Sequence, residues 1–325
     1  MQLYDVITVG DAIVDLLVSL PKDDPNISLD TQKEKALITI GAKIPVTDSS
    51  FSIGGNATHV AIGLSRLGLR AALAAELGTD EFAEKILKDL EKEKVVTDLL
   101  IQTKGALSTF TVSITLGQDR TTFVRHITRN HDFLFTNVST NWVYLTSMGE
   151  KWEETYKKTL AFVKKSGAKL AFNPGSMQLK AGADSFKEIT SSCDILFVNK
   201  EEAERILYGE VLPPEKKEQV ESLLFRLQRA GPKIAVITDG ENGSYAIDED
   251  GKVYSQKVFH ETITEKTGAG DAFSTGFLAG MIAGKDIQTC LLWGTADAAG
   301  VVSKHGGQEG LLTSKQLKDM IEKNS

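Results

Sequence analysis

The run Thr267-Gly268-Ala269-Gly270-Asp271-Ala272-Phe273 sets two glycines, separated by one alanine, directly before an acid and a long amphipathic stretch. A Gly-rich turn that opens a helix leaves backbone N–H groups free. The helix dipole adds positive potential there, so the turn is a natural anion cradle. Asp271, at the mouth of the cradle, is placed to take a proton from an attacking hydroxyl. The same residues fit a second reading equally well, a tight turn followed by an aspartate that caps the helix.

Other Gly-rich chemistries fail on spacing. A dinucleotide fingerprint needs a third glycine where this chain has Phe273, and the turn lies far from the first strand. A Walker loop needs Ser or Thr after Gly-Lys, whereas Gly284-Lys285 is followed by Asp286. The hydrolase elbow GxSxG and the zinc motif HExxH are absent, so acyl transfer and metal hydrolysis lack their parts. Two further stretches carry polar groups of interest. Gly54-Gly55-Asn56-Ala57-Thr58-His59 begins a helix that Gly68 closes, which a well-capped core helix would also explain. Gly10-Asp11-Ala12-Ile13-Val14-Asp15 puts two acids after the first apolar run, suited either to the hydroxyls of a polyol or to an exposed turn.

These residues need a frame. Short apolar runs at 6–10, 71–75, 142–145, 169–172, 194–198 and 233–237 read as strands. Helical patterns at 56–67, 80–93, 151–166, 215–230, 271–283 and 286–304 fall between and after them. This alternation points to an α/β fold, a central, mostly parallel sheet flanked by helices, with the ligand site beyond the carboxyl ends of the strands. Residues 35–53 and 105–128 break the rhythm with longer apolar–polar alternation. Thr109–Thr115, the turn Gly117-Gln118-Asp119 and Thr121–Val124 read as a hairpin, either an edge decoration or a small β lid over the site.

The glycine-rich segments, about 200 residues apart and in this order, resemble the two signatures of the ribokinase-like, or PfkB, family of carbohydrate and nucleoside kinases. The first is similar to 54–68, and the second, DTTGAGD, to Glu265-Lys266-Thr267-Gly268-Ala269-Gly270-Asp271. The resemblance runs over nearly the whole chain. It implies one ribokinase-like domain over 1–325, with lid strands inserted at about 15–20, 35–53 and 105–128. It also implies transfer of the γ-phosphoryl group of ATP to a primary alcohol. Asp271 would be the base, with Gly268, Ala269 and Gly270 as the anion hole. Asp15 and Gly55 would meet the substrate, together with Asp11, Gly54, Asn56, His59 and Asn173 of the Asn173-Pro174 turn. Asn199-Lys200-Glu201-Glu202 is similar to the family's NxxE motif, which implies Mg²⁺ held through water by Asn199 and Glu202. Thr238, Gly240 and Gly243 match its T-x-G-x-x-G turn. With Thr267, His305 and Gly306 they would border the nucleotide.

Departures from the family bear on the substrate. His59 stands where the family has Asn, and Ile13 where a ribokinase has Asn. Glu265 replaces an Asp near the family's monovalent-cation loop, which counts against activation by K⁺. Lid residues Arg120, Arg125, Arg129, His126 and His131 would reach an anionic substrate or lie in solvent. A pentose or ketohexose is the first expectation and an adenosine-type ribonucleoside the second. A nucleoside would need walls for its base, for which Phe51, Ile53, Phe110 and Phe123 are candidates. A silent sugar- or nucleotide-binding regulator is the rival from a different class.

The 41% apolar and 25% charged residues of the 325-residue chain are ordinary for a globular protein and exclude disorder and collagen. A net charge of −7 disfavours a nucleic-acid partner. Cys193 and Cys290 form no framework, and the opening Met1-Gln2-Leu3-Tyr4-Asp5 carries an acid where a secretory leader carries a base. No apolar run approaches a membrane span, so a cytoplasmic enzyme is expected. Family lids often meet as dimer interfaces, making a homodimer through the lid one expectation and a monomer the other.

Overall fold

The computed structural model describes residues 2–30, 35–117, 119–304 and 306–324. Gln118 of the expected hairpin turn and His305 of the expected nucleotide turn lie outside them. In chain order the first strands are β1 (Gln2–Val9), β2 (Ile13–Leu20), β3 (Ile27–Asp30), β4 (Lys35–Ile38), β5 (Asp48–Gly54), β6 (Ala71–Ala74), β7 (Glu76–Leu77) and β8 (Ile101–Gln102). They are followed by β9 (Phe110–Leu116), β10 (Asp119–Arg125), β11 (Val138–Leu145), β12 (Lys169–Phe172), β13 (Ile195–Asn199), β14 (Ile234–Thr238), β15 (Ser244–Ile247) and β16 (Val253–Gln256). The helices are α1 (Asn56–Arg66), α2 (Glu81–Lys92), α3 (Trp152–Ser166), α4 (Ser176–Ala181), α5 (Lys187–Ser192), α6 (Lys200–Tyr208), α7 (Val220–Arg229), α8 (Ala269–Ile282), α9 (Ile287–Val302) and α10 (Ser314–Asn324).

The large sheet has the order β16-β15-β14-β13-β12-β11-β1-β6. The strands from β14 to β6 are parallel, and β15 and β16 complete one edge antiparallel. Its strands read as unbroken apolar runs because both faces are covered. Val143, Leu145, Leu170, Phe172, Leu196, Val198, Ala235 and Ile237 point to one core, with Trp152 and Tyr156 of α3 and Leu223 and Leu227 of α7. The alternate residues Trp142, Tyr144, Ala171, Ile195, Phe197 and Val236 point to the other, against α1, α8 and α9. Phe277 of α8 is fully buried and meets Phe197 edge-on at 5.3 Å, a contact worth about 0.5–1.5 kcal/mol beyond its burial.

A second sheet of order β10-β9-β2-β5 lies apart from the first. Here β2 pairs parallel with β9 and antiparallel with β5, and β9 and β10 form the expected hairpin. The stretch 35–53, expected as lid strand, divides in two. Only β5 joins the four-stranded sheet, while β4 pairs with β3 in a separate hairpin. Pro45, between β4 and β5, offers no N–H to a ladder. The helical pattern at 215–230 also starts late. Pro214 opens a short 3₁₀ turn, and α7 begins only at Val220. Helices α4, α5 and α10 and the edge strands β15 and β16 were not foreseen. Among the described residues no helix is long and apolar enough to cross a membrane.

Two polar anchors hold the segment from Gln308 to Leu312. Arg66, closing α1, binds both Glu93 oxygens at 2.8 and 2.7 Å and donates to the Gln308 and Leu311 carbonyls at 3.0 and 2.9 Å. Asp297 of α9 accepts the Leu312 N–H at 2.8 Å, and its second oxygen is buried without a partner among the described residues. Burial pushes the Asp297 carboxyl up to about 7 from 3.8, against the pull of the Leu312 N–H and Arg66. A raised carboxyl stabilises the fold fully below its unfolded value, and that contribution is lost as pH rises through about 7. Asp297→Asn keeps the acceptor and removes the charge. Wild-type melting temperature is therefore expected to fall relative to this variant between pH 5 and pH 8, by roughly 2–4 °C. A difference that stays constant with pH would contradict this.

Candidate active site

The carboxyl ends of β12, β13 and β14, the starts of α1 and α8, and the lid strand β2 enclose a cleft of about 360 Å³. Its polar lining is Asp15, Asn56, His59, Asn173, Asn199, Glu202, Thr238, Thr267, Asp271 and Ser274, with Gly55, Gly268 and Gly270 where the main chain comes close. Ile13, Phe197, Val198, Val236 and Phe273 form its apolar wall. No Lys or Arg lines it among the described residues.

The α8 end settles the ambiguity of the Gly-rich turn. The N-cap is Gly268, at φ +79°, with no side-chain cap bond. Asp271 is the third helical residue, so it does not cap, and it faces the cleft instead. The main-chain N–H groups of Gly268, Gly270 and Asp271 have no protein partner among the described residues, whereas that of Ala269 turns back to the Lys266 carbonyl at 3.4 Å. Ala269 does not line the cleft. The turn thus presents free donors and a carboxylate side by side.

Across the cleft, Thr111 of β9 donates to Asp15 of β2. A Cβ on Gly54 would sit 2.0 Å from Asp15 Oδ2, so the glycine leaves the space that Asp15 fills. Gly55 caps α1 at φ +100°, and a side chain there would meet the Asp11 carbonyl at 2.3 Å. Asn173 Nδ2 donates to the Phe197 carbonyl at 2.9 Å, which joins β12 to β13 at the cleft floor. Asp11 lies outside the lining. Burial pushes its carboxyl up to about 6, against a hydrogen bond from the Gly149 main chain and the charge of Arg129. Gly54, Gly240, Gly243 and Gly306 are also outside the lining, and Gly306 N–H donates to Glu265 at 2.9 Å.

Asn199 and Glu202 form a capping box at the start of α6. Asn199 Oδ1 accepts from Glu202 N at 2.9 Å, and Glu202 Oε2 from Asn199 N at 2.8 Å. One Glu202 oxygen is left for the cleft. Burial raises the Glu202 carboxyl, and the like charge of Asp271 adds to this despite the Asn199 N–H. A cation between the two carboxylates would relieve that repulsion, so the pair fits a hydrated Mg²⁺ held through water, with no inner-sphere cage. No group of three or more His, Cys, Asp or Glu arranged to hold a metal ion directly occurs among the described residues.

The family model described as pfkB family carbohydrate kinase matches residues 26–314. The chain belongs to this family. Curated relatives of this pfkB kinase include an uncharacterized sugar kinase of Archaeoglobus fulgidus, 28% identical over 77% of this chain and 98% of its own. Another is 5-dehydro-2-deoxygluconokinase of Bacillus subtilis, 25% identical over 84% of this chain and 87% of its own. A solved ribokinase of Arabidopsis thaliana, complexed with ribose and ATP, superposes with a TM-score of 0.79 at 20% identity, covering 99% of each chain. The ribokinase-like α/β fold is thereby established.

The features particular to this pfkB kinase lie at its departures. The lid arginines are neither solvent-facing as a group nor turned to the cleft. Arg120 Nη1 contacts both Glu265 Oε1 and Thr267 Oγ1 at 2.6 Å, and Nη2 contacts Ser113 at 2.6 Å, latching β9 and β10 to the Gly-rich turn. Glu265 is held below its ordinary range despite burial, by the Gly306 N–H, Thr267 and Arg120. Arg129 is buried, donating to the Leu107 carbonyl and lying 3.9 Å from Glu76. Only Arg125 and His126 are exposed. His59 Nδ1 lies 3.0 Å from Asp271 Oδ2, with both residues buried. No sequence signal marked this pairing across 212 positions.

Proposed function

We propose that the protein transfers the γ-phosphoryl group of ATP to the hydroxymethyl group of a neutral sugar of pentose or ketohexose type. The observation that carries this reading is the cleft-facing Asp271 beside the free N–H groups of Gly268 and Gly270. Asp271 takes the proton of the acceptor hydroxyl as its oxygen forms the new bond to phosphorus. The bond to the β–γ bridging oxygen breaks, and its electrons leave with ADP. The free N–H groups bind the charge spread over the transferring phosphoryl oxygens. Mg²⁺ held through Asn199 and Glu202 would neutralise phosphate charge, with Thr238 and Thr267 bordering the nucleotide beside them. The lid, latched by Arg120, excludes water.

The charged lining supports a neutral acceptor. Asp15, Glu202 and Asp271 would repel a sugar acid, the class that the name of the Bacillus subtilis relative points to. A ribonucleoside is the second reading, and the aromatic residues count against it. Phe51 packs on Phe82 of α2 at 5.7 Å and Phe82 on Phe110 at 5.5 Å, while Phe123 is 58% exposed. None of the expected base walls reaches the cleft. A coupled ADP-release screen over sugars, sugar acids and nucleosides tests the reading, and turnover confined to the last two classes would overturn it. Equal rates in Na⁺ and K⁺ buffers are expected, because Arg120 and the Gly306 N–H already engage Glu265. We further propose pairing of two copies through the lid, where Phe51, Phe123 and Val124 are exposed. A monomeric mass by light scattering would exclude it.

A further inference from the structure

We propose that Arg120 is a positioning residue for the transfer: from lid strand β10 it fixes the Gly-rich turn, so the alignment of the anion hole depends on the lid. The inference rests on the reading of that turn as the seat of the transferring phosphoryl group. Arg120 does not line the cleft, yet it grips a residue that does. Its Nη1 lies 2.6 Å from Thr267 Oγ1 and 2.6 Å from Glu265 Oε1. Thr267 directly precedes Gly268, the N-cap of α8.

The guanidinium is itself aimed by the lid. Nη2 donates to Ser113 Oγ of β9 at 2.6 Å and Nε to Thr122 Oγ1 of β10 at 3.3 Å. Ser113 is fully buried, and its hydroxyl meets that of Thr122 across the hairpin at 2.9 Å. The planar fork is thus pre-set by the hairpin. Its hold on the turn is double. Thr267 is the direct route. The other runs through Glu265, whose Oε2 accepts the Gly306 N–H at 2.9 Å. The next residue, Gly307, backs the turn, since a Cβ on Gly268 would sit 2.5 Å from its Cα. Gly268 is therefore bounded on one side by a residue that Arg120 holds and on the other by a loop that Glu265 holds. The side chains of Arg120 and Glu265 are 25% and 16% exposed, so salt screens this pair less than a surface one. Free N–H groups stabilise developing charge only when aimed at it, and a displacement of about 1 Å costs about 100-fold in rate. Arg125, at the other end of β10, is exposed and serves as the control.

The test pairs NMR with kinetics. In amide spectra of the substrate-free protein, Arg120→Ala should move the signals of Thr267, Gly268, Gly270 and Gly307, whereas Arg125→Ala should leave them in place. This comparison needs no turnover, so it stands apart from the reading of the turn, which Gly270→Val addresses. Arg120→Ala should lower kcat by about 10–100-fold, with the KM for ATP within about threefold of wild type. Arg120→Lys should recover only part of that loss, because one ammonium cannot hold Ser113, Glu265 and Thr267 together. Thr267→Val should cost less kcat in the Arg120→Ala background than in wild type, since the two residues act along one route. Melting temperatures identify a variant that fails to fold, and Arg120→Lys then carries the comparison. Unmoved turn signals, an unchanged kcat in the folded variant, or multiplying effects of Arg120→Ala and Thr267→Val would each overturn the proposal. A loss confined to the KM for ATP would overturn it too, by making Arg120 a direct nucleotide ligand.

Discussion

Asp271→Asn is expected to lower kcat by about 10³-fold or more while leaving the fold and ATP binding in place. The substitution preserves shape. The Asn carbonyl still accepts from His59 Nδ1, so the α1–α8 contact survives, and the free N–H groups of Gly268 and Gly270 are untouched. The loss is the ability to accept the proton of the hydroxyl as it attacks. Calorimetric ATP titration and thermal melting should therefore resemble wild type within a few degrees. Turnover within tenfold of wild type would remove Asp271 from the role of base.

The second large effect separates two neighbouring glycines. Gly268 sits at φ +79°, and a Cβ would meet the Gly307 Cα at 2.5 Å and its carbonyl oxygen at 2.8 Å. Both are main-chain atoms that cannot swing aside. A β-branched residue there also violates the left-handed conformation, so Gly268→Val should cost roughly 2–4 kcal/mol of stability along with activity. Gly270 differs, since a Cβ there meets nothing within 4 Å. Its added methyls would instead lie beside the free N–H groups in the cleft. Gly270→Val should leave the melting temperature within about 2 °C while reducing kcat by about 10²-fold or more. Equal loss of stability in both variants would contradict this account of the turn.

The sheet was legible because its strands are covered on both faces and carry no polar alternation to confuse them. The six apolar runs correspond to β1, β6, β11, β12, β13 and β14. The edge was harder to read. β15 and β16 are four residues each, and their register against β14 follows from contacts a local pattern does not contain. Helix α10 buries only Leu317, which gives a weak apolar stripe. At the site, the Gly-rich turn revealed itself through local spacing, but its Asp271 had a second reading that only the N-cap geometry removes. The His59–Asp271 pair and the Arg120 latch join residues 212 and 145 positions apart, and no local periodicity encodes such partners.

The Arg66 anchor has a consequence for how the protein is made. Its donors reach Gln308 and Leu311, 242 and 245 residues onward, and α8, which carries Asp271, also lies late in the chain. A chain emerging from the ribosome displays α1 long before either partner exists. Domains generally fold as units, and synthesis proceeds at about 5–20 residues per second. The central strands through β14 are therefore all made before the α8 wall of the cleft exists. The cleft gains its second wall only when α8 and the segment around Leu311 close over α1. A chain stopped short of that point lacks the α8 wall of the cleft and the partners of Arg66.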